Sequence, residues 1–524
     1  MSNQLHVACG LGGVPPSVEA AKQAIVTNPA WISERTDPEL YTPLYLAAAN
    51  GSLEIVELLL QHGANCWDGD DRGQRLLSVA TIGGFDEVVT RVLDAMEGGG
   101  CTKEELDELQ GSNRIVHIAA SIGHLGMLKS AIERFGIEQL EDRNEWGVTP
   151  LMAACGGESL DKNPEDQIWS DERAQTVSFL LQQGSDPLVR DSNGRTLLHT
   201  LAIFDGTGFL IEELLQRGIE IDSKTNSSDC SPGASALHIA SKYCNEDTVR
   251  ILLSHGIDSR ILDFNQRTAL HLASYVDNNI FSSKYPFPED KARAIIKLLL
   301  DLAPDTINIR DENGDTPLLL SAKTIQSTFS ILRFLHQRGA DITAVNNNQE
   351  NALHLIASCS HIYPVSNDIY ESIRYLVRNG TDLEGKQKLS ATPLLLSISR
   401  GEQRSDIVEA LLKCGANVHA TLKGGITALH YAYSRGFQSG VGKVLLRYGA
   451  ASDAVDEQGR TPADCILMRG TVSGRGRGRG MFIAHMIAGS TTPLGLSLRP
   501  GEAIDLLETD QKVPSFGPRI SLNL

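Results

Sequence analysis

At 524 residues the chain exceeds what one compact core of about 250–300 residues holds, so it needs either roughly three domains or a repeating architecture. Hydrophobic residues make up 41% and charged residues 21%, while aromatics reach only 5%, so the core must be mostly Leu, Ile, Val and Ala. A formal charge of −18 disfavours non-specific binding to nucleic acid or anionic membrane and favours basic or neutral protein partners.

In chain order, one phrase keeps returning. A partial copy opens at Leu5-His6-Val7-Ala8-Cys9. It is followed by Thr42-Pro43-Leu44, Arg75-Leu76-Leu77, Arg114-Ile115-Val116-His117, Thr149-Pro150-Leu151, Thr196-Leu197-Leu198-His199 and Ser235-Ala236-Leu237-His238. The second half carries Thr268-Ala269-Leu270-His271, Thr316-Pro317-Leu318, Asn351-Ala352-Leu353-His354, Thr392-Pro393-Leu394, Thr427-Ala428-Leu429-His430 and Thr461-Pro462-Ala463-Asp464. The commonest interval between starts is about 33 to 35 residues. Each phrase reads as a helix start, with Thr accepting a backbone hydrogen bond as N-cap and Pro at the first helical position, where no amide hydrogen is needed. A second apolar run follows, such as Ile55-Val56-Glu57-Leu58-Leu59-Leu60 or Ile407-Val408-Glu409-Ala410-Leu411-Leu412, with the spacing of a buried helix face. Glycine then stops it at Gly63, Gly184, Gly218, Gly256, Gly339, Gly380, Gly415 and Gly449, where a left-handed residue is wanted. Asp-x-x-Gly turns precede several starts: Asp70 to Gly73, Asp191 to Gly194, Asp311 to Gly314 and Asp456 to Gly459.

These phrases resemble the ankyrin repeat, whose unit is a β-turn finger followed by two antiparallel helices. The resemblance covers roughly residues 4 to 468 in about a dozen units. It implies an all-α solenoid of stacked helix-turn-helix units with β-turn fingers, curved into an elongated superhelix. Helices this short are unstable alone, since about 12–15 residues make an isolated helix only marginal, so each hairpin must lean on its neighbours. Residues 4–41 are expected to form a partial or capping unit, 42–468 the array, and 469–524 a degenerate cap and flexible tail. The opening without a preceding finger fits either a cap or a piece of something longer. The copies at Arg75 and Arg114 lack Thr-Pro, and fraying or a bend is expected near Gly98-Gly99-Gly100. In the last copy, the run Gly474 to Gly480 interrupts the second helix, for which Met481 to Ala488 is a substitute, and 489–524 reads as disordered.

Catalytic chemistry finds little footing. Half of the 14 histidines stand at one repeat position: His6, His117, His199, His238, His271, His354 and His430. No HExxH or paired cysteine accompanies them, as a zinc site would need, and the family resemblance implies a structural role between units. Cys9 and Cys155 fall where the repeat usually carries Ala, so they read as core residues, whereas Cys66, Cys230 and Cys414 lie near fingers or helix ends. The nine cysteines, with no CxxC pair, argue against a disulfide framework. Gly440-Val441-Gly442-Lys443-Val444 has neither the spacing nor the hydroxyl of a phosphate loop and reads as a second-helix start. No nucleophile elbow occurs. The three arginines of the Gly474–Gly480 run are too few for an RNA-binding assignment, and a linker is expected there. A non-enzyme without cofactor, metal or small-molecule substrate follows. The amino terminus lacks the basic and apolar regions of a secretory signal, and no run approaches the ~18 apolar residues of a membrane helix. A soluble cytosolic or nuclear monomer without membrane insertion is expected.

The resemblance places partners across the fingers and the exposed side of the first helices. Carried over by position, it implicates Glu145, Trp146 and Val148 in one finger and Ser192, Asn193 and Arg195 in the next. Phe264, Asn265 and Arg267 precede Thr268, and Glu312, Asn313 and Asp315 precede Thr316. On the first helices the matching positions are Lys242, Tyr243, Tyr275, Lys323, Ser434 and Arg435. Trp146, Phe264 and Tyr243 are the strongest anchors, because aromatics dominate interface hot spots. Insertions at 156–171, 276–290 and 361–369 carry Trp169, Phe281, Tyr285, Phe287 and Tyr363, and offer a second contact edge or simple surface excursions. The expected function is a scaffold or adaptor binding one or more unidentified proteins. The alternative is the regulatory or sensor portion of a larger signalling protein.

Overall fold

Thr42, Thr149, Thr316, Thr392 and Thr427 each cap a helix, their Oγ1 accepting from the amide three residues on (Tyr45, Met152, Leu319, Leu395 and His430) at 3.1 to 3.5 Å. The first helices include Pro43–Ala49, Ile115–Ile122, Pro150–Ala154, Pro317–Ser321, Ala352–Ser358, Pro393–Ser399 and Ala428–Arg435. Each is followed by a second helix, as Pro43–Ala49 is by Leu53–Gln61 and Ala352–Ser358 by Asn367–Arg378. The computed structural model describes residues 3–36, 40–67, 76–99, 114–156, 169–226, 231–275, 280–281, 287–323, 328–359, 367–399 and 404–471. Among these residues the repeating structure is helical, with one isolated extended bridge between Thr421 and Thr427. The Arg-Gly run, Met481 to Ala488 and the tail lie outside them, as do Arg75, Gly100, Cys230, Tyr285 and Tyr363.

The chain divides into two units, Met1–Phe264 and Asn265–Leu524. Within the first, Ile115–Ile122 lies against Leu76–Ile82 on one side and Pro150–Ala154 on the other. Within the second, Pro393–Ser399 lies between Ala352–Ser358 and Ala428–Arg435, while Asn367–Arg378 packs between Thr328–Gln337 and Ser405–Lys413. The faces so covered are aliphatic: Leu44, Ala47 and Ala48 on a first helix, Ile55, Val56 and Leu59 on its second, and Ile295, Ile296 and Leu299 on another. A buried Leu or Ile contributes about 1.5–3 kcal/mol, and because neighbouring hairpins pack against one another, stability accumulates across interfaces. The glycines that stop the second helices take positive φ, from 81° at Gly63 to 100° at Gly339. Residues Gln438–Gly442 form a wider π-type turn that runs into helix Lys443–Arg447, as expected of a second-helix start.

Polar side chains tie hairpin to hairpin. His6 Nε2 lies 3.1 Å from the carbonyls of Glu34 and Tyr41, His117 Nε2 3.1 Å from those of Asp142 and Val148, and His354 Nε2 3.2 Å from that of Ala391. At His271 and His430, Nδ1 faces the N-cap Thr hydroxyl at 2.9 and 2.8 Å and accepts from the Thr amide, so Nε2 carries the proton and donates to the next hairpin. Burial lowers the pKa of His6, His117, His354 and His430, which keeps these rings neutral at physiological pH. At the opposite end of the hairpins, Asn50 Nδ2 donates to the Cys9 carbonyl (3.2 Å), Arg173 Nη2 to Ser121 (2.6 Å) and Arg435 Nη2 to Ser399 (3.1 Å). The histidine position is structural throughout its described copies.

Candidate functional site

The fingers are built by a repeated turn. Asn144 Oδ1 accepts from the amides of Trp146 and Val148 (both 3.0 Å), Asp191 Oδ1 from Asn193 and Arg195 (2.9 and 2.8 Å), and Asp311 Oδ1 from Asn313 and Asp315 (2.8 and 2.9 Å). Neighbouring tips are then joined through their backbones: Ser192 N to Trp146 O (2.9 Å) and Asn226 N to Asn193 O (2.7 Å) in the first unit. In the second, Glu312 N donates to Asn265 O, Asn347 N to Asn313 O, Lys388 N to Asn348 O and Glu457 N to Gly424 O, each at 2.9 Å. The tip glycine is required twice over, as Gly314 shows: its φ is 77°, and a Cβ there would sit 2.4 Å from Asn347 Oδ1. With the turns pinned by Asn or Asp side chains and the tips joined through main chain, the side chains at the tips stand on a rigid support.

Trp146 and Phe264 are 51% and 52% exposed, and Glu145, Glu312 and Asn313 are also exposed. The Phe264 ring lies over Gly233, where an added Cβ would be 2.4 Å from it. Asn193, Lys242, Tyr243, Asn265, Arg267 and Tyr275 are half-buried. Arg435 is half-buried as well, its guanidinium bonded to Ser399 and set 5.9 Å from the centre of the Phe437 ring.

Three expected contact residues are inside instead. Val148 is buried, because its amide closes the Asn144 turn and its carbonyl receives His117. Arg195 is buried at the end of its finger, where its amide closes the Asp191 turn. The Asp315 carboxylate is fully covered: Lys323 pairs with it, and Asn346 Nδ2 of the following finger donates to it at 3.0 Å. These positions lie on the inner limb of the turn, where the chain re-enters the stack. The described insertion aromatics also pack inward: Phe281 and Phe287 are buried and meet edge to face at 5.2 Å, and Trp169 sits 5.6 Å from Phe204.

The thiols of Cys9, Cys155 and Cys465 are pushed up to about 12 by burial, and burial also raises those of Cys66 and Cys414. Such thiols stay protonated and unreactive at neutral pH. Among the described residues no cluster of His, Cys, Asp and Glu has the arrangement to hold a metal ion, and no helix is long and apolar enough to cross a membrane.

One exposed cluster carries no Asp-x-x-Gly signature. In the finger before Thr392, Gln387 and Ser390 replace the Asp and Gly of the turn signature, yet the turn forms: Gln387 Oε1 accepts from Leu389 N at 3.0 Å and Ser390 takes φ of 66°. Its tip carries Lys386, Lys388 and Leu389, all exposed, and the next finger carries exposed Lys423. Counting back from Thr392 to the turn position would have found it.

Family models described as ankyrin repeats match residues 5–103, 169–263, 210–282, 325–421, 361–456 and 394–472. Helices of the repeat also occupy stretches between these matches, as Ile115–Phe135 and Glu289–Ser321 show. The transient receptor potential cation channel subfamily A member 1 homolog of Caenorhabditis elegans is 26% identical over 217 residues, covering 41% of this chain and 16% of that protein. The neurogenic locus notch homolog protein 1 of Mus musculus is 26% identical over 187 residues, covering 36% of this chain and 6% of its own length, and the Homo sapiens protein is 25% identical over 188. The chain thus aligns with a small part of each of these relatives. With the capped hairpins, the fingers and the family models in agreement over most of its length, the chain belongs to the ankyrin-repeat family.

Proposed function

We propose that this chain is a non-catalytic scaffold or adaptor that holds partner proteins on its fingertips and the adjoining first helices. The observation that carries the reading is the pair of half-exposed aromatics, Trp146 and Phe264, displayed on fingers tied to their neighbours through the backbone, by Ser192 N to Trp146 O and Phe264 N to Pro232 O. An anchor of this kind loses little freedom on binding, which is where interface energy concentrates. Ankyrin repeats generally serve protein–protein interaction. The proposal includes a cytosolic or nuclear monomer. Capture of partners from lysate, compared between the native chain and a Trp146→Ala/Phe264→Ala double variant of unchanged helicity, tests it. At least one partner is expected to fall about tenfold in recovery; equal recovery of every partner removes these tips from the interface.

A second reading, a regulatory or sensor segment of a larger signalling protein, is favoured by the relatives, whose matched portions are only 16% and 6% of their lengths. Sequencing the native transcript across both ends distinguishes it: an open frame running beyond this chain supports it, and flanking stop codons oppose it.

A further inference from the structure

Basic residues one step before a finger turn usually have an internal duty. Arg143 Nη1 donates to the Arg190 carbonyl at 2.6 Å, Lys224 Nζ to Leu262 at 2.7 Å and Arg310 Nη1 to Val345 at 2.7 Å. Each cation reaches the residue just before the next turn and fastens the fingers together. Lys386 stands at this same step, before Gln387, and makes no such bond. Among the described residues neither Lys386, Lys388 nor Lys423 has a side-chain hydrogen bond or ion pair, and all three are exposed. The acids of the same stretch are engaged with backbone amides: Asp382 accepts from Glu384 N at 2.9 Å and Glu384 from Asn417 N at 2.7 Å. On a chain of net charge −18, Lys386, Lys388 and Lys423 put three uncommitted cations on two consecutive fingers, beside the exposed carboxylates of Asp382 and Glu384.

An apolar element sits among them. Leu389 is 77% exposed at the tip, and its turn is pinned by Gln387 and by the Lys388-to-Asn348 backbone bond. Below it, Leu396 and Tyr431 occupy equivalent positions, four residues past the N-cap, on the packed first helices Pro393–Ser399 and Ala428–Arg435. Both stay part-exposed where Leu272, Leu320 and Leu355 at the same register are buried. The following finger brings Glu457, which bounds the basic region.

We infer that this face of the second unit docks an acidic protein segment, one apolar side chain seated against Leu389 and Leu396 and flanking carboxylates meeting Lys386, Lys388 and Lys423. The inference deepens the scaffold reading by naming the chemistry of a partner. Charge complementarity argues for this occupant. A continuous polyanion such as nucleic acid or an anionic bilayer meets the repulsion of the whole acidic chain, whereas a short acidic segment meets chiefly the local cations. The exposed leucine adds an apolar contact that phosphate recognition does not use.

Selection of short random phage-displayed peptides on the full chain, followed by anisotropy of a fluorescent copy of the consensus, tests the inference. The expected consensus is rich in Asp and Glu around a single Leu, Ile or Phe. Binding is expected to fall about tenfold in Leu389→Ala and more in Lys386→Glu/Lys388→Glu/Lys423→Glu, and to weaken with salt in the native chain. The substituted side chains are exposed, and circular dichroism of each variant verifies that the helices persist. A basic or uncharged consensus, or binding indifferent to the triple variant, overturns the inference. So does equally strong, lysine-dependent binding of a single-stranded RNA oligonucleotide or of phosphatidylserine vesicles. Peptides lost on Trp146→Ala but not on the triple variant would leave the scaffold reading standing and remove this one.

Discussion

The hairpin that starts at Arg114 and the one that starts at Thr427 bury the same histidine and hold it differently. His430 is clamped at both nitrogens, by the Thr427 hydroxyl and amide at Nδ1 and by the Arg460 carbonyl 2.8 Å from Nε2. His117 keeps the outward bonds to Asp142 and Val148, but Arg114 offers no capping side chain, and the buried Nδ1 has no hydrogen-bond partner. The bond between hairpins thus survives loss of the local cap. Stacking sets the histidine's place, and the cap refines it.

The largest effect that tests this contrast is removal of the ring. His430→Ala is expected to cost about 2–4 kcal/mol in urea unfolding, from the cavity and from carbonyl and cap groups left without partners. His117→Ala should cost about 1 kcal/mol less, since one of its nitrogens contributes nothing already; an equal loss would mean that the cap bond is energetically silent. Acid comes next. Burial holds His6, His117, His354 and His430 below the ordinary value, so the unfolded chain takes up protons first as pH falls. Stability should be level above about pH 6.5 and decline below it, by up to about 1.4 kcal/mol per pH unit for each such histidine. A urea midpoint unchanged between pH 7 and about pH 5 would contradict the neutral, bridging role.

Smaller still is the cap itself. Thr427→Ala should cost about 1 kcal/mol. Arg114→Ala removes no cap and loses the part-exposed pair with Asp142, worth about 0.5 kcal/mol. If the two substitutions cost the same, the distinction between the hairpins fails.

Much of this was legible beforehand because an ankyrin hairpin is specified locally. Thr-Pro at a first-helix start, glycine at a second-helix end and Asp opening a finger act within a few residues, and the structure realises them at Thr149, Gly184 and Asp191. The histidines were legible as one repeat position, to which the family resemblance gave a structural role between units, and His117, His354 and His430 hold carbonyls of the next hairpin. The finger before Thr392 was hidden because Gln387 and Ser390 perform the turn with different side chains.

By itself the sequence determined the repeat, its phase and the aliphatic core, for these follow from contacts made within one hairpin or with an adjacent copy. Which finger residues reach solvent was decided only by tertiary structure. Asp315 and Glu312 are three residues apart in one loop, yet the first is sealed by Lys323 and Asn346 while the second is exposed. Lys386 and Arg310 share a register, yet only Arg310 finds a carbonyl on the neighbouring finger. Exposure and pairing depend on where the next hairpin's atoms lie, and repeat phase does not encode that distance.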